Sequence, residues 1–210
     1  MTKSKSRIAE FGEVFTSERE VKAMLDLVEA ETCRIDSRFL EPACGDGNFL
    51  IEVLFRKLAL VSSRYSKNQL DYERNAFLAI SSLYGVDILQ DNVEQCRARL
   101  FSFFNNEYHE RFTQVNDRFL GAVRFVITRN ILHGDALSLE LPGSNAPIIF
   151  SEWCFVSGSR IQRKDYALNN LIAYQPFEDD NLFSDLGEQA FIPPPIQVYP
   201  VMHFMDLADD

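Results

Sequence analysis

Residues Phe39 to Leu50 read FLEPACGDGNFL, and no other stretch of the chain restricts its fold as much. Phe39 and Leu40 make a short apolar strand that ends in Glu41. A turn with Gly45 and Gly47 follows, and an apolar helix opens at Asn48 and Phe49. A strand, a glycine turn and a helix N-terminus in that order gather backbone N–H groups around a polar ligand, at the positive end of a helix dipole. The two glycines allow backbone conformations and close approaches that a Cβ would block. The rest of the chain alternates in type. Apolar spacing predicts helices over 17–32, 47–61, 68–82, 91–106 and 112–128, and strands over 37–42, 83–88, 129–134 and 147–150. Such alternation implies an α/β fold with a mostly parallel sheet flanked by helices.

Two further acidic residues end apolar runs. Asp87 closes YGVD, and Asp135 follows ILHG. Open parallel sheets bind ligands at the carboxyl ends of their strands, so both residues stand at the binding edge. Each also has a plain structural reading. Asp87 could cap the helix that starts near Asn92, and Asp135 could close an Asx-turn. Asp91, with Glu94 three residues on, is the better capping-box pair, which leaves Asp87 for a ligand. Glu41 is a solvated strand end or, beside the glycine turn, a hydrogen-bonding partner for the loop or for a ligand's amino group.

Glu-Pro-Ala-Cys-Gly-x-Gly-x-Phe-Leu resembles the S-adenosylmethionine loop of adenine-N6 DNA methyltransferases of the restriction-modification type. Three other segments fall in the same order as in that family. Upstream, FGEVFT (residues 11–16) resembles its Gly-x-x-Phe-Thr segment, which covers the methionine end of the cofactor. YGVDIL resembles the second strand, whose acidic residue holds the ribose hydroxyls. ILHGDAL resembles the third, where Asp-Ala lies against the adenine ring. The resemblance covers roughly residues 11–152. It implies a Rossmann-like methyltransferase fold with S-adenosylmethionine held by Phe15, Thr16, Glu41, Pro42, Ala43, Cys44, Gly45, Gly47, Phe49, Asp87, Ile88, Asp135 and Ala136. It also implies DNA as the substrate, in restriction-modification or phage defence. Cys44 is expected to be a small packing residue there rather than a nucleophile.

The fourth strand departs from that pattern. The family has Asn-Pro-Pro-aromatic at its end, and here the place reads Ile148-Ile149-Phe150-Ser151-Glu152-Trp153-Cys154. An extruded base needs an aromatic platform and acceptors for its amino protons. Ser151 and Glu152 are the candidate acceptors and Trp153 is the candidate platform, its alternative being a core edge. Two interpretations stay open: an enzyme that uses these residues, or a catalytically degenerate subunit that binds cofactor or a partner protein without turnover. Ile192 to Ile196 (IPPPI) lacks the Asn and reads as an extended surface segment.

Length and charge set the remaining expectations. With 210 residues, 46% of them hydrophobic, the chain fits one domain over 1–175, with 1–33 as a helical cofactor-covering segment. A Pro-containing arm spans 176–210. It could add an edge strand near Val201–Met205, and its acidic end reads as a solvated tail. Asp165–Ala173 is a candidate helix. Only 60 residues follow Phe150, so the sheet is expected to be incomplete at its C-terminal edge. A formal net charge of -10 argues against gripping DNA unaided, since phosphate contacts need clustered Lys and Arg. The best basic cluster by sequence is Arg160, Arg163 and Lys164. Recognition would then come from a partner subunit or a second copy, with a homo-oligomer able to cover the open edge. The four scattered cysteines show no metal-ligand spacing, so no metal is expected, and they suit a reducing, cytoplasmic setting. No run approaches the roughly 20 apolar residues of a membrane span, so no membrane association is expected.

Overall fold

The computed structural model describes residues 16–173 and 193–209. Its elements in chain order are α1 (Glu18–Asp26), α2 (Glu29–Thr32), β1 (Phe39–Glu41), α3 (Asn48–Tyr65), α4 (Gln69–Ser81), β2 (Leu83–Asp87), α5 (Gln90–Arg111) and α6 (Asp117–Asn130). They continue with β3 (Ile131–His133), β4 (Ile149–Ser157), β5 (Arg160–Ala167), α7 (Leu168–Ala173), β6 (Gln197–Val198), β7 (Met202–His203) and a 3-10 helix, Phe204–Asp209. The fold is α/β: a three-stranded parallel sheet, ordered β1-β2-β3, flanked by helices. No helix among the described residues is long and apolar enough to cross a membrane.

Helix boundaries follow local chemistry. Ser17 caps α1 in a capping box with Glu20, as the sequence suggests. The side chains of Asn68 and Asn116 cap α4 and α6 by accepting from Asp71 and Phe119 N–H. The expected first helix over 17–32 breaks into two at Leu27–Val28. The expected helix over 91–106 runs from Gln90 to Arg111, without a side-chain cap at Leu89. Asp91 and Glu94 are therefore both inside the helix, and the expected capping box with Asp91 as N-cap does not form.

The strand alternation gives each face of the parallel sheet its own core. Leu83 and Ile131, with Phe39 packed against them, face the helices and join the main core with Leu50, Val53, Leu54, Leu58 and Val61 of α3. Lys57 lies in that same α3 stripe and is fully buried. Its ammonium donates to Ile35 O at 3.1 Å, to Ser82 Oγ at 2.5 Å and to Ser37 O, tying the starts of β1 and β2 to the helix. Tyr84 and Val86 face the other way and pack on Ile148, Phe150 and Leu168. At Gly134 an added Cβ would stand 2.5 Å from Ile148 Cδ1, so this position needs glycine for close packing.

The fourth strand is where structure and expectation part. β4 does not join the parallel sheet. It pairs antiparallel with β5 from Ile149↔Ala167 to Ser157↔Arg160, in a separate sheet that β6 and β7 extend along β5. The cause is local. Gly158 and Ser159 form a two-residue loop, with Gly158 at φ +54°, between two extended runs that pair with each other. The expected helix from Asp165 starts only at Leu168, because Asp165–Ala167 belong to β5. Of the acidic end expected to be a solvated tail, the part up to Ala208 packs on the domain. β7 adds the expected short edge strand, and the 3-10 helix then buries Phe204, Met205 and Leu207 while Asp206 pairs with Arg118.

Candidate functional site: the glycine loop

The loop after β1 is built by the parallel sheet and held by Asp87. Cys44 N–H donates to Val86 O at 2.9 Å, and Gly47 N–H to Cys44 O at 2.9 Å, which closes the turn. Gly45 N–H donates to Asp87 Oδ2 at 2.8 Å. Asp87 Oδ1 accepts from Leu89 N–H at 2.9 Å and from Asn92 Nδ2 at 3.1 Å. One nearly buried carboxylate thus links the loop to the start of α5. Gly47 is the N-cap of α3 at φ +93°, and an added Cβ would fall 2.7 Å from Cys96 Sγ. Cys44 is buried, 3.1 Å from where a Cβ on Gly85 would stand. Its hydrogen bond with Cys96 and its burial push its thiol well above the usual range. Cys44 is a packing residue, as expected, and all four cysteines are free thiols.

The loop lines a concavity of about 120 Å³ together with Thr16, Met24, Glu41, Asn48 and Phe49. That is the space of about four waters, at roughly 30 Å³ each. Burial pushes the Glu41 carboxyl up, opposed by a hydrogen bond from Ala43. Asp46 pairs with Arg99 of α5 at 2.7 Å through Oδ2, while its buried Oδ1 has no hydrogen-bond partner. Arg99 also donates to Asp46 O and to Asn48 Oδ1, both at 2.8 Å, bracing the loop from outside. The concavity is edged by the half-buried Glu41 carboxylate and lies at a helix start without a side-chain cap, the positive end of the α3 dipole. Asp46, Asn48 and Arg99 escape sequence reasoning. Asp46 sits in the motif's variable position, and Arg99 reaches the loop only through the packing of α5.

The remaining expected residues are dispersed. Phe15 lies outside the described residues. Ala43 is an exposed loop position that lines the concavity, whereas Pro42 is exposed without lining it and Ile88 is half exposed. Asp135 closes an Asx-turn, its Oδ1 accepting from Leu137 N–H at 2.8 Å, and Ala136 packs on the Tyr84–Ile148 cluster. Neither lines the concavity, so the plain reading of Asp135 is the one realised here. Asp87 serves as clamp and helix-end acceptor at once, contrary to the expectation that Asp91 frees it.

Strand geometry separates the three residues expected to accept and stack a base. Ser151 and Trp153 share one face of β4, and Glu152 takes the other. Ser151 Oγ donates to Asp165 Oδ1 at 2.7 Å and accepts from Arg163 Nε at 3.1 Å. Trp153 lies in the main core, its indole N–H donating to Asn130 Oδ1 at 3.0 Å and its ring edge-on to Phe77 and Phe125. It is the core-edge tryptophan and offers no open face for stacking. Glu152 pairs with Arg38, accepts from Tyr166 Oη at 3.2 Å, and lines, as the buried Ser151 also does, a cavity of about 270 Å³ with Leu40, Tyr84 and Phe150, apart from the glycine loop. The expected basic cluster divides likewise. Arg163 is buried in an ion pair with Asp165 at 2.6 Å and stacks on Tyr199, while Arg160 is exposed and Lys164 points away from Arg163 on the opposite face of β5. No group of three or more potential metal ligands occurs among the described residues.

Comparison with protein-family models, with curated proteins and with solved structures returns no match for this chain.

Proposed function

We propose that the chain is the S-adenosylmethionine-binding domain of an adenine-N6-type DNA methyltransferase. The observation that carries this reading is the clamped loop itself: Gly45 N–H on Asp87, beside a concavity that Glu41 lines. The donor set suits the amino-acid end of the cofactor. Glu41 offers an acceptor to its ammonium, and the uncapped start of α3 offers N–H groups to its carboxylate. Bound there, S-adenosylmethionine supplies an electrophilic methyl group on a sulfonium. Glu41 orients the amino-acid end, Arg99 keeps Asp46 and Asn48 in place, and Asp87 sets the height of the loop. The Rossmann-like reading of the small sheet and the restriction-modification setting both follow from the resemblance of FLEPACGDGNFL, YGVDIL and ILHGDAL.

A second reading is favoured by a specific observation: the domain binds the cofactor without turnover of its own. Ser151 is locked between Arg163 and Asp165, and Trp153 is buried on Asn130. In that case the base-accepting groups come from a partner subunit or a second copy. Calorimetric titration with S-adenosylmethionine tests the shared core of both readings, with Glu41→Gln as the contact variant. Micromolar binding weakened about tenfold by Glu41→Gln supports the site, as expected for one charge-assisted hydrogen bond of about 1.4 kcal/mol. Absence of binding by the folded wild-type protein would refute it. Methyl transfer to DNA by the isolated, folded chain would exclude the second reading.

A further inference from the structure

We infer that a groove between α5 and α6, away from the glycine loop, is a binding surface for a nucleic-acid phosphodiester backbone. The groove encloses about 670 Å³ and is lined by Arg97, Arg124, Phe125, Thr128, Arg129 and Ala208 among others. Gly121, Arg124, Phe125, Thr128 and Arg129 are spaced as one face of α6. Arg97 reaches in from α5, and Ala208 of the 3-10 helix closes the rim.

Two features make this more than a solvated helix face. The first is unneutralised charge. The chain has 31 Asp and Glu for 21 Lys and Arg, yet no Asp or Glu among the described residues lines the groove. None of the three arginines has an ion pair among the described residues, although Arg99, Arg111 and Arg118 on the same two helices each do. Glu94 acts on Arg97 only at longer range. The second feature is rigidity. The Arg124 guanidinium lies 3.4 Å over the Phe101 ring and Arg129 lies 5.2 Å over Phe125. Arg97 is fixed by bonds to Ile131 O at 2.9 Å and Thr128 O at 3.0 Å. Guanidinium planes held against rings or carbonyls keep their remaining N–H edges outward, in the fork geometry that matches phosphate. Little side-chain entropy is then lost on binding an anion. Phe125 gives the groove a partly exposed apolar floor, which suits a sugar-phosphate chain better than a lone ion. The basic Arg160–Lys164 segment has no such arrangement, because its central arginine is spent on Asp165.

This inference does not rest on what the glycine loop binds, and its assay contains no S-adenosylmethionine. Fluorescence anisotropy is measured with a labelled DNA duplex and, in parallel, its single strand. With three phosphates engaged, affinity for the duplex falls roughly 40-fold between about 50 and 200 mM salt, at a slope of about -0.9 per phosphate. Arg124→Gln/Arg129→Gln reduces that slope by about 2 and low-salt affinity at least tenfold. Both side chains are exposed and have no ion pair among the described residues, so the variant keeps its fold, checked by its melting curve. Arg64→Gln/Lys67→Gln, with the same charge change on exposed positions of α3 and its C-terminal turn, leaves binding as in wild type. Equal losses in the two double variants, or no salt-dependent binding by wild type, overturn the assignment. So does retention on phosphatidylserine vesicles without nucleic-acid binding.

Discussion

Asp87→Ala probes the link between the candidate site and fold stability. The substitution removes an acceptor that three groups share: Gly45 N–H, Leu89 N–H and Asn92 Nδ2. Hydrogen bonds to a charged group contribute about 1.5–3 kcal/mol each, but such losses are not additive, and water can replace part of them at an open strand end. A net loss of about 3–4 kcal/mol follows. In a domain of this size each kcal/mol moves the melting temperature by roughly 2–4 °C, so Asp87→Ala should melt roughly 10 °C below wild type. Asp87→Asn should lose about half as much, because the amide oxygen still serves Leu89 and Asn92 while its NH2 group confronts Gly45 N–H. Circular dichroism melts of the three proteins measure this directly. Asp87→Ala melting within about 2 °C of wild type would show that the carboxylate does not clamp the loop. The same bonds mean that loss of S-adenosylmethionine binding in Asp87→Ala cannot separate ligand contact from loop collapse. Glu41, which accepts from Ala43 but clamps no other element, is the cleaner contact probe.

Three further outcomes follow from buried charge. Burial pushes the Lys57 ammonium down to about 7, against about 10.4 for a free lysine, so the unfolded chain holds the extra proton between those values and stability rises with pH across that window. At about 1.36 kcal/mol per pH unit the ceiling is ~5 kcal/mol, and urea unfolding of Lys57→Met should show that part of the slope gone. Burial raises the Glu41 carboxyl, so S-adenosylmethionine affinity should fall as pH drops through the upper carboxylate range. Calorimetry of Glu41→Gln over the same range should show that fall removed. Arg163→Met leaves Asp165 buried without its cation and should cost about 3–5 kcal/mol in urea unfolding, with no change in the salt slope of DNA binding.

Much of the glycine-loop half was legible because its signals are local. FLEPACGDGNFL carries its strand, turn and helix start in one segment, and the Ser17–Glu20 box and the α3 stripe need no distant partner. Lys57 went unread, although it stands between Leu54 and Leu58 on the apolar stripe. The roles of Asp87 and Arg99 were not legible, because both act across packed elements. Asp87 answers to Gly45 and Arg99 to Asp46, and neither pairing has a sequence spacing that announces it. Asp135 was misplaced for a related reason. Its segment resembles a binding strand end, but its own Asx-turn already satisfies it.

The hairpin was written in the sequence and lost to a competing pattern. IIFSEW reads as a buried parallel strand when only its first residues are weighed. Over its full length the segment carries the Gly158-Ser159 turn between two arms of similar length, and burial alternates along the second arm from Arg160 to Asp165. A parallel fourth strand would have to leave the Asp165 carboxylate and the Arg163 guanidinium without the Ser151 hydroxyl that lies between them. It would also strip Trp153 from Asn130, whose Nδ2 holds Ser81 O and Leu83 O at the start of β2. Desolvated polar groups of this kind cost about 1–3 kcal/mol each when left unpaired, more when charged. The hairpin satisfies all of them and leaves the far edge of β1 without a strand partner among the described residues. The hairpin thus takes the Trp153 ring and the Ser151 hydroxyl into internal contacts, while Glu152 on the opposite face still lines a cavity.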